Sequence, residues 1–249
     1  MKYMSEDLYT SGEYLKKNPT WHVGESPCKA REIIRMMARN NIAPTTICEV
    51  GCGAGEILKQ LQKKIDSKCT LWGYEISPQA FELCKARANE KLRFKLADIR
   101  HEQNVYFDLI LIMDVLEHLE DYFSFLREIK PKGHYKIIQI PLDLSLRTVL
   151  AGKVITYRES YGHIHYFTKE IALQMLKDVG YEVLDYFYTS QTLALPWQEI
   201  KRNPFILPRK LLGKIKRKLL KLPGELFFAI HKDLAVRIVG EWRLLVLTK

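Results

Sequence analysis

Apolar residues recur along the chain in two alternating rhythms. Short runs that are apolar almost throughout predict strands at Thr46 to Val50, Thr70 to Ile76, Leu92 to Ala97, Phe107 to Met113, Tyr135 to Ile140, Tyr181 to Tyr188 and Trp242 to Thr248. Between them, apolar positions three and four apart predict helices at Lys29 to Asn40, Glu56 to Lys64, Ser77 to about Asn89, Tyr122 to Ile129 and Thr168 to Val179. The boundaries carry their own chemistry. Ser77 and Thr168 are side-chain caps and Pro78 suits a first helical position, while Pro131, Gly133 and Gly180 stop the helices before them.

Strands with little polar alternation are buried on both faces, which requires a mostly parallel sheet with helices above and below. The expected fold class is therefore α/β and Rossmann-like. The alternation fails only at the end, where no crossover helix separates the last two strands outside one basic stretch. The chain divides into an N-terminal segment and helix at 1–43, a main domain at 44–190 plus 241–249, and an insertion at 191–240. Tyr9, Tyr14, Trp21 and His22 suit the N-terminal segment either to a lid over a pocket or to an anchor packed on the domain.

Composition adds little until charge is located. With 47% apolar and 27% charged residues over 249 positions, the chain has the balance of a soluble domain with a real core. No apolar run approaches the ~18 residues that span a bilayer, and the first residues are not a secretory signal. Five cysteines, at 28, 48, 52, 69 and 84, show no CxxC spacing, so a reducing cytoplasmic setting is expected. The net charge is +10, and residues 201–237 hold eleven Lys and Arg against two acids, leaving the rest nearly neutral. There Leu211, Leu212, Ile215, Leu219 and Leu222 share one helical face, with Lys210, Lys214, Arg217, Lys218 and Lys221 off it. Such a basic amphipathic helix can make peripheral contact with a membrane, at the inner face here, or pack on the domain. RNA binding fits less well, because no aromatic residues interleave with the basic ones.

Gly51, Cys52, Gly53 and Gly55 lie in Glu49-Val-Gly-Cys-Gly-Ala-Gly55, between a predicted strand and a predicted helix. Glycine there permits positive φ and close approach of a ligand to the backbone. Glu75, Asp98 and Asp114 end the next three predicted strands, so all would line the sheet edge where ligands of open parallel sheets bind. A carboxylate at the end of the second strand can accept two ribose hydroxyls.

These motifs, with Tyr74-Glu-Ile-Ser77, Ala97-Asp-Ile99 and Phe107 through His118, resemble the ordered motifs of class I S-adenosylmethionine-dependent methyltransferases. The nearest branch also holds ubiquinone-biosynthesis O-methyltransferases. The resemblance implies a seven-stranded sheet with an antiparallel last strand, a short hairpin replaced here by the basic insertion, and S-adenosylmethionine as cofactor. It further implies that Gly51, Gly53 and Gly55 pack on the methionine part, that Cys52 belongs to the same cofactor site and that Glu49 helps hold its ammonium. Glu75 would bind the ribose, Ile76 would pack on adenine, Asp98 with Ile99 would read the adenine edge, and Asp114 would complete the site. A nicotinamide dehydrogenase fits less well, because the loop reads GxGxG and not GxGxxG.

Methyl transfer needs in-line approach, and a base only where the acceptor loses a proton. His118, just past the fourth strand, is one candidate base or else a structural residue. His163, in Gly162-His-Ile-His-Tyr-Phe-Thr168, is the second, and in an extended segment it would share a face with His165. No metal is expected, since no acidic or cysteine cluster accompanies this pair in sequence. The fourth strand lacks an Asn-Pro-Pro-Tyr-like turn and no cysteine sits where a covalent pyrimidine methyltransferase needs one. The expected reaction is thus methylation, most simply O-methylation, of a small-molecule, lipid-linked or sugar-linked acceptor. RNA methylation and a non-catalytic cofactor-binding module are the alternatives.

Overall fold

In the computed structural model, residues 9–190, 228, 231–240 and 242–249 are described; the predicted helix at 211–222 lies outside them. The apolar runs become β1 (Thr46–Val50), β2 (Thr70–Glu75), β3 (Leu92–Leu96), β4 (Phe107–Met113), β5 (Gly133–Leu142), β6 (Val183–Thr189) and β7 (Trp242–Thr248). They form one sheet in the order β3-β2-β1-β4-β5-β7-β6. Strands β1 to β5 pair in parallel, and β7 lies between β5 and β6, antiparallel to both. The fold is the expected Rossmann-like one, with the reversed last strand that the resemblance implied.

The period of two along β4 sorts its side chains onto the two faces of the sheet. Ile110 and Ile112 join a core with Phe125, Leu126, Ile138 and Phe167, while Leu109 and Leu111 join one with Ile33, Met36, Leu58 and Leu61. Helices α1 (Glu13–Lys17), α2 (Ser26–Arg39), α3 (Glu56–Gln62), α4 (Pro78–Lys85) and α5 (Tyr122–Ile129) precede β5. After it come α6 (Leu146–Leu150), α7 (Lys153–Tyr161), α8 (Lys169–Asp178) and α9 (Lys232–Val239). The predicted caps act as such: Ser77 Oγ accepts from the Ala80 amide and Thr168 Oγ1 from Ile171.

Four helices were not foreseen: α1, α6, α7 and α9. α1 and α6 span five residues each, too few for a period to show, and α7 buries no residue. Residues 162–167 form no strand. The amides of Ile164 and His165 both donate to the Glu117 carbonyl, at 2.8 and 3.2 Å, which turns the chain there. In consequence His163 and His165 do not share a face: His165 packs on Tyr122 and Phe167, away from His163.

The strand order reverses between β1 and β4, and their carboxyl ends leave the crevice in which open α/β sheets hold ligands.

Candidate active site

The loop that leaves β1 turns tightly because Gly51, Gly53 and Gly55 all take positive φ, at 66°, 55° and 73°. The amides of Gly51 and Cys52 donate to the Tyr74 carbonyl of β2 at 2.9 and 3.0 Å. The Gly53 amide donates to Glu75 Oε2 at 2.7 Å, and the Ser77 amide to Glu75 Oε1 at 2.8 Å. Glu75 therefore ties the loop to β2 before it meets any ligand, and each oxygen keeps a further lone pair for one. Burial raises its pKa against the pull of those amides. Glu49 is 1% exposed and its Oε2 has no hydrogen-bond partner. Burial pushes its carboxyl up to about 8, against the Lys29 ammonium.

A cavity of about 640 Å³ opens beside this loop, within the roughly 300–1,000 Å³ usual for ligand sites. Glu49, Gly51, Cys52, Gly53, Glu75, Ile76, Asp114, His118 and His163 line it. Three predicted residues do not. A Cβ on Gly55 would come within 2.5 Å of the Phe94 ring, so this glycine serves close packing of loop against sheet. Ile99 is buried in the core. Asp98 follows edge strand β3 and is engaged by Arg100, accepting from its amide and its Nε at 2.8 Å each. That guanidinium, acting against burial, holds the Asp98 carboxyl below the usual range.

Asp114 lines the cavity but is already paired. Lys29 Nζ of α2 lies 2.8 Å away, Arg243 Nε of β7 lies 3.3 Å away, and Gln139 Nε2 of β5 donates at 3.0 Å. Burial opposes the charged carboxylate, yet Arg243 and Lys29 outweigh it and hold Asp114 far below the usual carboxylate range. Glu25 sits 3.5 Å from Lys29 and 3.4 Å from Arg243. The four charges join α2, β4 and β7 at the floor of the cavity.

The other end is aromatic. Tyr9, Tyr14, His22, Tyr161, His163 and His118 form a closed circuit of ring contacts, with centroids 4.7–6.2 Å apart. Tyr14 Oη and His22 Nε2 are 3.0 Å apart. Trp21 reaches over the loop, where a Cβ on Gly53 would come within 2.5 Å of the indole. The N-terminal aromatics Tyr9, Tyr14, Trp21 and His22 thus line the cavity.

The two histidines differ. His118 Nδ1 contacts the Gly162 carbonyl at 3.2 Å, and burial, helped by His163, lowers its pKa to about 3. It is a neutral ring at physiological pH. His163 Nδ1 lies 2.6 Å from Asp143 Oδ2, and both residues line the cavity. This contact makes Nδ1 the protonated nitrogen and leaves Nε2 a lone pair. Between the histidines, Glu117 is fully buried, neither carboxyl oxygen has a hydrogen-bond partner, and burial raises its pKa well above the usual range. Glu117, His118 and His163 each bring one ligating atom within 4.8 Å of the others. The sequence reading found no acid beside His163; the fold supplies Glu117 and Asp143.

Sequence reasoning also passed over Lys29, Asp143, Tyr157, Tyr161 and Arg243, all of which line the cavity. Asp143 had a signal, because it follows β5 as Asp114 follows β4. Lys29 and Arg243 had none, being brought together only by the sheet and the helix packed on it.

Comparison with known proteins agrees with this geometry. A family model described as a methyltransferase domain matches residues 22–186. The mitochondrial ubiquinone biosynthesis O-methyltransferase of Schizosaccharomyces pombe is 30% identical over 124 residues, 45% of this chain and 42% of that protein. Ajmaline N-methyltransferase of Rauvolfia serpentina is 32% identical over 92 residues, 34% of this chain and 31% of that one. The match thus spans less than half the length of either relative. Among solved structures, the plantazolicin methyltransferase BpumL, bound to a monoazolic desmethylPZN analog and SAH, aligns with a TM-score of 0.54 at 17% identity. It covers 96% of this chain and 87% of that one. The magnesium protoporphyrin IX methyltransferase of Synechocystis PCC 6803 with bound SAH gives 0.56 at 14% identity, covering 75% and 91%. These two likenesses speak to the fold.

Proposed function

Because this chain belongs to the methyltransferase-domain family, within the class I S-adenosylmethionine-dependent methyltransferases, we propose that it methylates a hydroxyl of a small acceptor held in the aromatic end of the cavity. The observation that carries this reading is the Asp143–His163 pair facing the same cavity as the glycine loop.

The residues present fit the cofactor. Glu49 is a buried carboxyl with an unpartnered oxygen, suited to an ammonium. Gly51 and Gly53 bring backbone without a side chain to the lining, and Glu75 has lone pairs for ribose hydroxyls. When bound, S-adenosylmethionine supplies an electrophilic methyl group on a sulfonium. Asp114 contributes through the ion-pair floor, not as a free carboxylate.

His163 takes the acceptor proton at Nε2, and Asp143 fixes the ring's tautomer and favours the imidazolium that forms. His118, neutral and buried, shapes the wall without acting as base. Glu117, whose carboxyl oxygens have no hydrogen-bond partner, is suited to a polar group of the acceptor. The aromatic circuit supports a flat ring, and the cavity's volume, shared with the cofactor, admits a small acceptor or only the reacting end of a larger one. Lipid-linked and sugar-linked hydroxyls both satisfy this.

A second reading rests on the close approach of Glu117, His118 and His163, which could instead hold a divalent cation that orients the acceptor oxygen. Incubation of cell extracts with methyl-labelled cofactor, followed by separation into lipid, glycan and RNA fractions, tests the proposal. Label in lipid or glycan, lost with His163→Ala, supports it; label in RNA alone contradicts it. Loss of activity in chelator, with return on adding Mg²⁺, would favour the second reading.

A further inference from the structure

The Tyr9 hydroxyl is a buried polar group with no hydrogen-bond partner among the described residues. Such a group is costly to fold unless a ligand meets it. Tyr9 lines the cavity, and its ring contacts Tyr14 and His118, with centroids 4.7 and 5.6 Å away. Burial above all, then the fields of Tyr14, Glu117 and Glu75, pushes its pKa well up. The hydroxyl is therefore protonated and uncharged at neutral pH.

The groups around Tyr9 set its oxygen between the two halves of the cavity. Glu75 belongs to the cofactor half, where the Gly53 and Ser77 amides hold it. Glu117 and His118 belong to the acceptor half, with His163. Tyr14 continues the aromatic surface to Trp21, 5.0 Å away, and Trp21 stands against Gly53 of the loop. Gln79 ties the same segment to the cofactor half by a second route. Its Nε2 donates to the Thr10 carbonyl at 3.0 Å, and its Oε1 accepts from Ser77 Oγ at 3.1 Å.

In the reading above, on which this inference rests, Glu49 takes the cofactor's ammonium and Glu75 its ribose. The sulfonium lies between those two parts and must turn its methyl group toward the acceptor half. Its sulfur carries no hydrogen to donate. A cation of this kind is met by aromatic faces and by the lone pairs of neutral oxygens, which attract its polarised methyl hydrogens. Tyr9 offers both, between the carboxyl for the ribose and the histidines at the acceptor.

We propose that Tyr9 recognises the sulfonium of S-adenosylmethionine, its ring and hydroxyl oxygen aiming the methyl group at the acceptor end. Tyr9, Tyr14 and Trp21 all precede residues 22–186, which the family match covers, so this wall of the site comes from the chain's own N-terminal segment.

The test is calorimetric titration of the full chain with S-adenosylmethionine and with S-adenosylhomocysteine, which lacks the methyl group and the charge on sulfur. Wild type, Tyr9→Phe and Tyr9→Leu are compared. Tyr9→Phe should weaken S-adenosylmethionine about three- to tenfold and leave S-adenosylhomocysteine unchanged within about twofold. Tyr9→Leu, which also removes the ring, should widen that difference. Because the hydroxyl has no partner in the protein, Tyr9→Phe should unfold at a temperature no lower than wild type. Equal weakening of both ligands, weakening of neither, or a lowered unfolding temperature in Tyr9→Phe overturns the inference while the cofactor site stands. Absence of S-adenosylmethionine binding by wild type overturns the site and the inference together.

Discussion

Asp143 Oδ2 lies 2.6 Å from His163 Nδ1, so an acid at the end of β5 fixes the ring nitrogen that can carry a proton within the cavity. Removing the base should lower kcat by about 10²–10⁴ in His163→Ala. Asp143→Asn keeps the shape but not the charge, and should lower kcat by up to about 10⁴, as in catalytic triads, with KM little changed. His118→Ala should instead act mainly on KM. Steady-state kinetics on the acceptor, with pH profiles, separates these outcomes. An Asp143→Asn variant with unchanged kcat removes the dyad from the mechanism.

Gly53 and Trp21 form a second matched pair. A methyl group on Gly53 would meet the indole at 2.5 Å, and φ of 55° is itself unfavourable for alanine. Gly53→Ala should therefore weaken cofactor binding by more than about tenfold. Adding Trp21→Ala should restore part of that loss, because it removes the clash but not the backbone strain. A double-mutant cycle measured by calorimetry checks this, and strict additivity would show that Trp21 does not touch the loop.

The four-charge floor predicts stability. Breaking a buried pair leaves its partners uncompensated, so Asp114→Asn should cost about 3 kcal/mol in denaturant unfolding, where Lys29→Arg should cost less. The folded-state pKa of Asp114 is depressed, so its contribution is fully present above the usual carboxylate value and is lost as pH falls below it. Wild type should thus lose more stability than Asp114→Asn between neutral pH and pH ~3.

Glu49 works in the opposite sense. Its carboxyl is raised to about 8 when folded from an ordinary 4.5, so the folded chain holds a proton that the unfolded chain releases between these values. Its contribution to stability is present below the lower value and is lost as pH rises through the upper one. An ammonium placed beside it reverses the preference, so cofactor binding at pH 7 should release a proton. Calorimetry in two buffers of different ionisation enthalpy should show that release in wild type and less of it in Glu49→Gln.

Much of this architecture could be read from the residues. Phe107–Met113, Tyr122–Ile129 and Trp242–Thr248 fold over the very ranges their patterns predict, because each buries one face or both. α6 escaped because five residues are too few to show a period, and α7 because it buries no residue. The rule of acids at strand ends found Glu75 and Asp114, and would have found Asp143 had it been carried one strand further. The same rule placed Asp98 in the cavity, but β3 is the edge strand and Arg100 takes the carboxylate. The pairing of Lys29 with Arg243 around Asp114 depends on distant segments meeting, which no local pattern records.

The central claim is that the loop from Gly51 to Gly55 forms one wall of a cofactor site. Titration of the full chain with S-adenosylmethionine in a calorimeter, for wild type and for Gly53→Arg, tests it most directly. Wild type should bind one equivalent and the variant should give no heat of binding, since an arginine at 53 would fill the space between loop and Trp21. Absence of binding by wild type, or equal affinity in both proteins, would contradict the account.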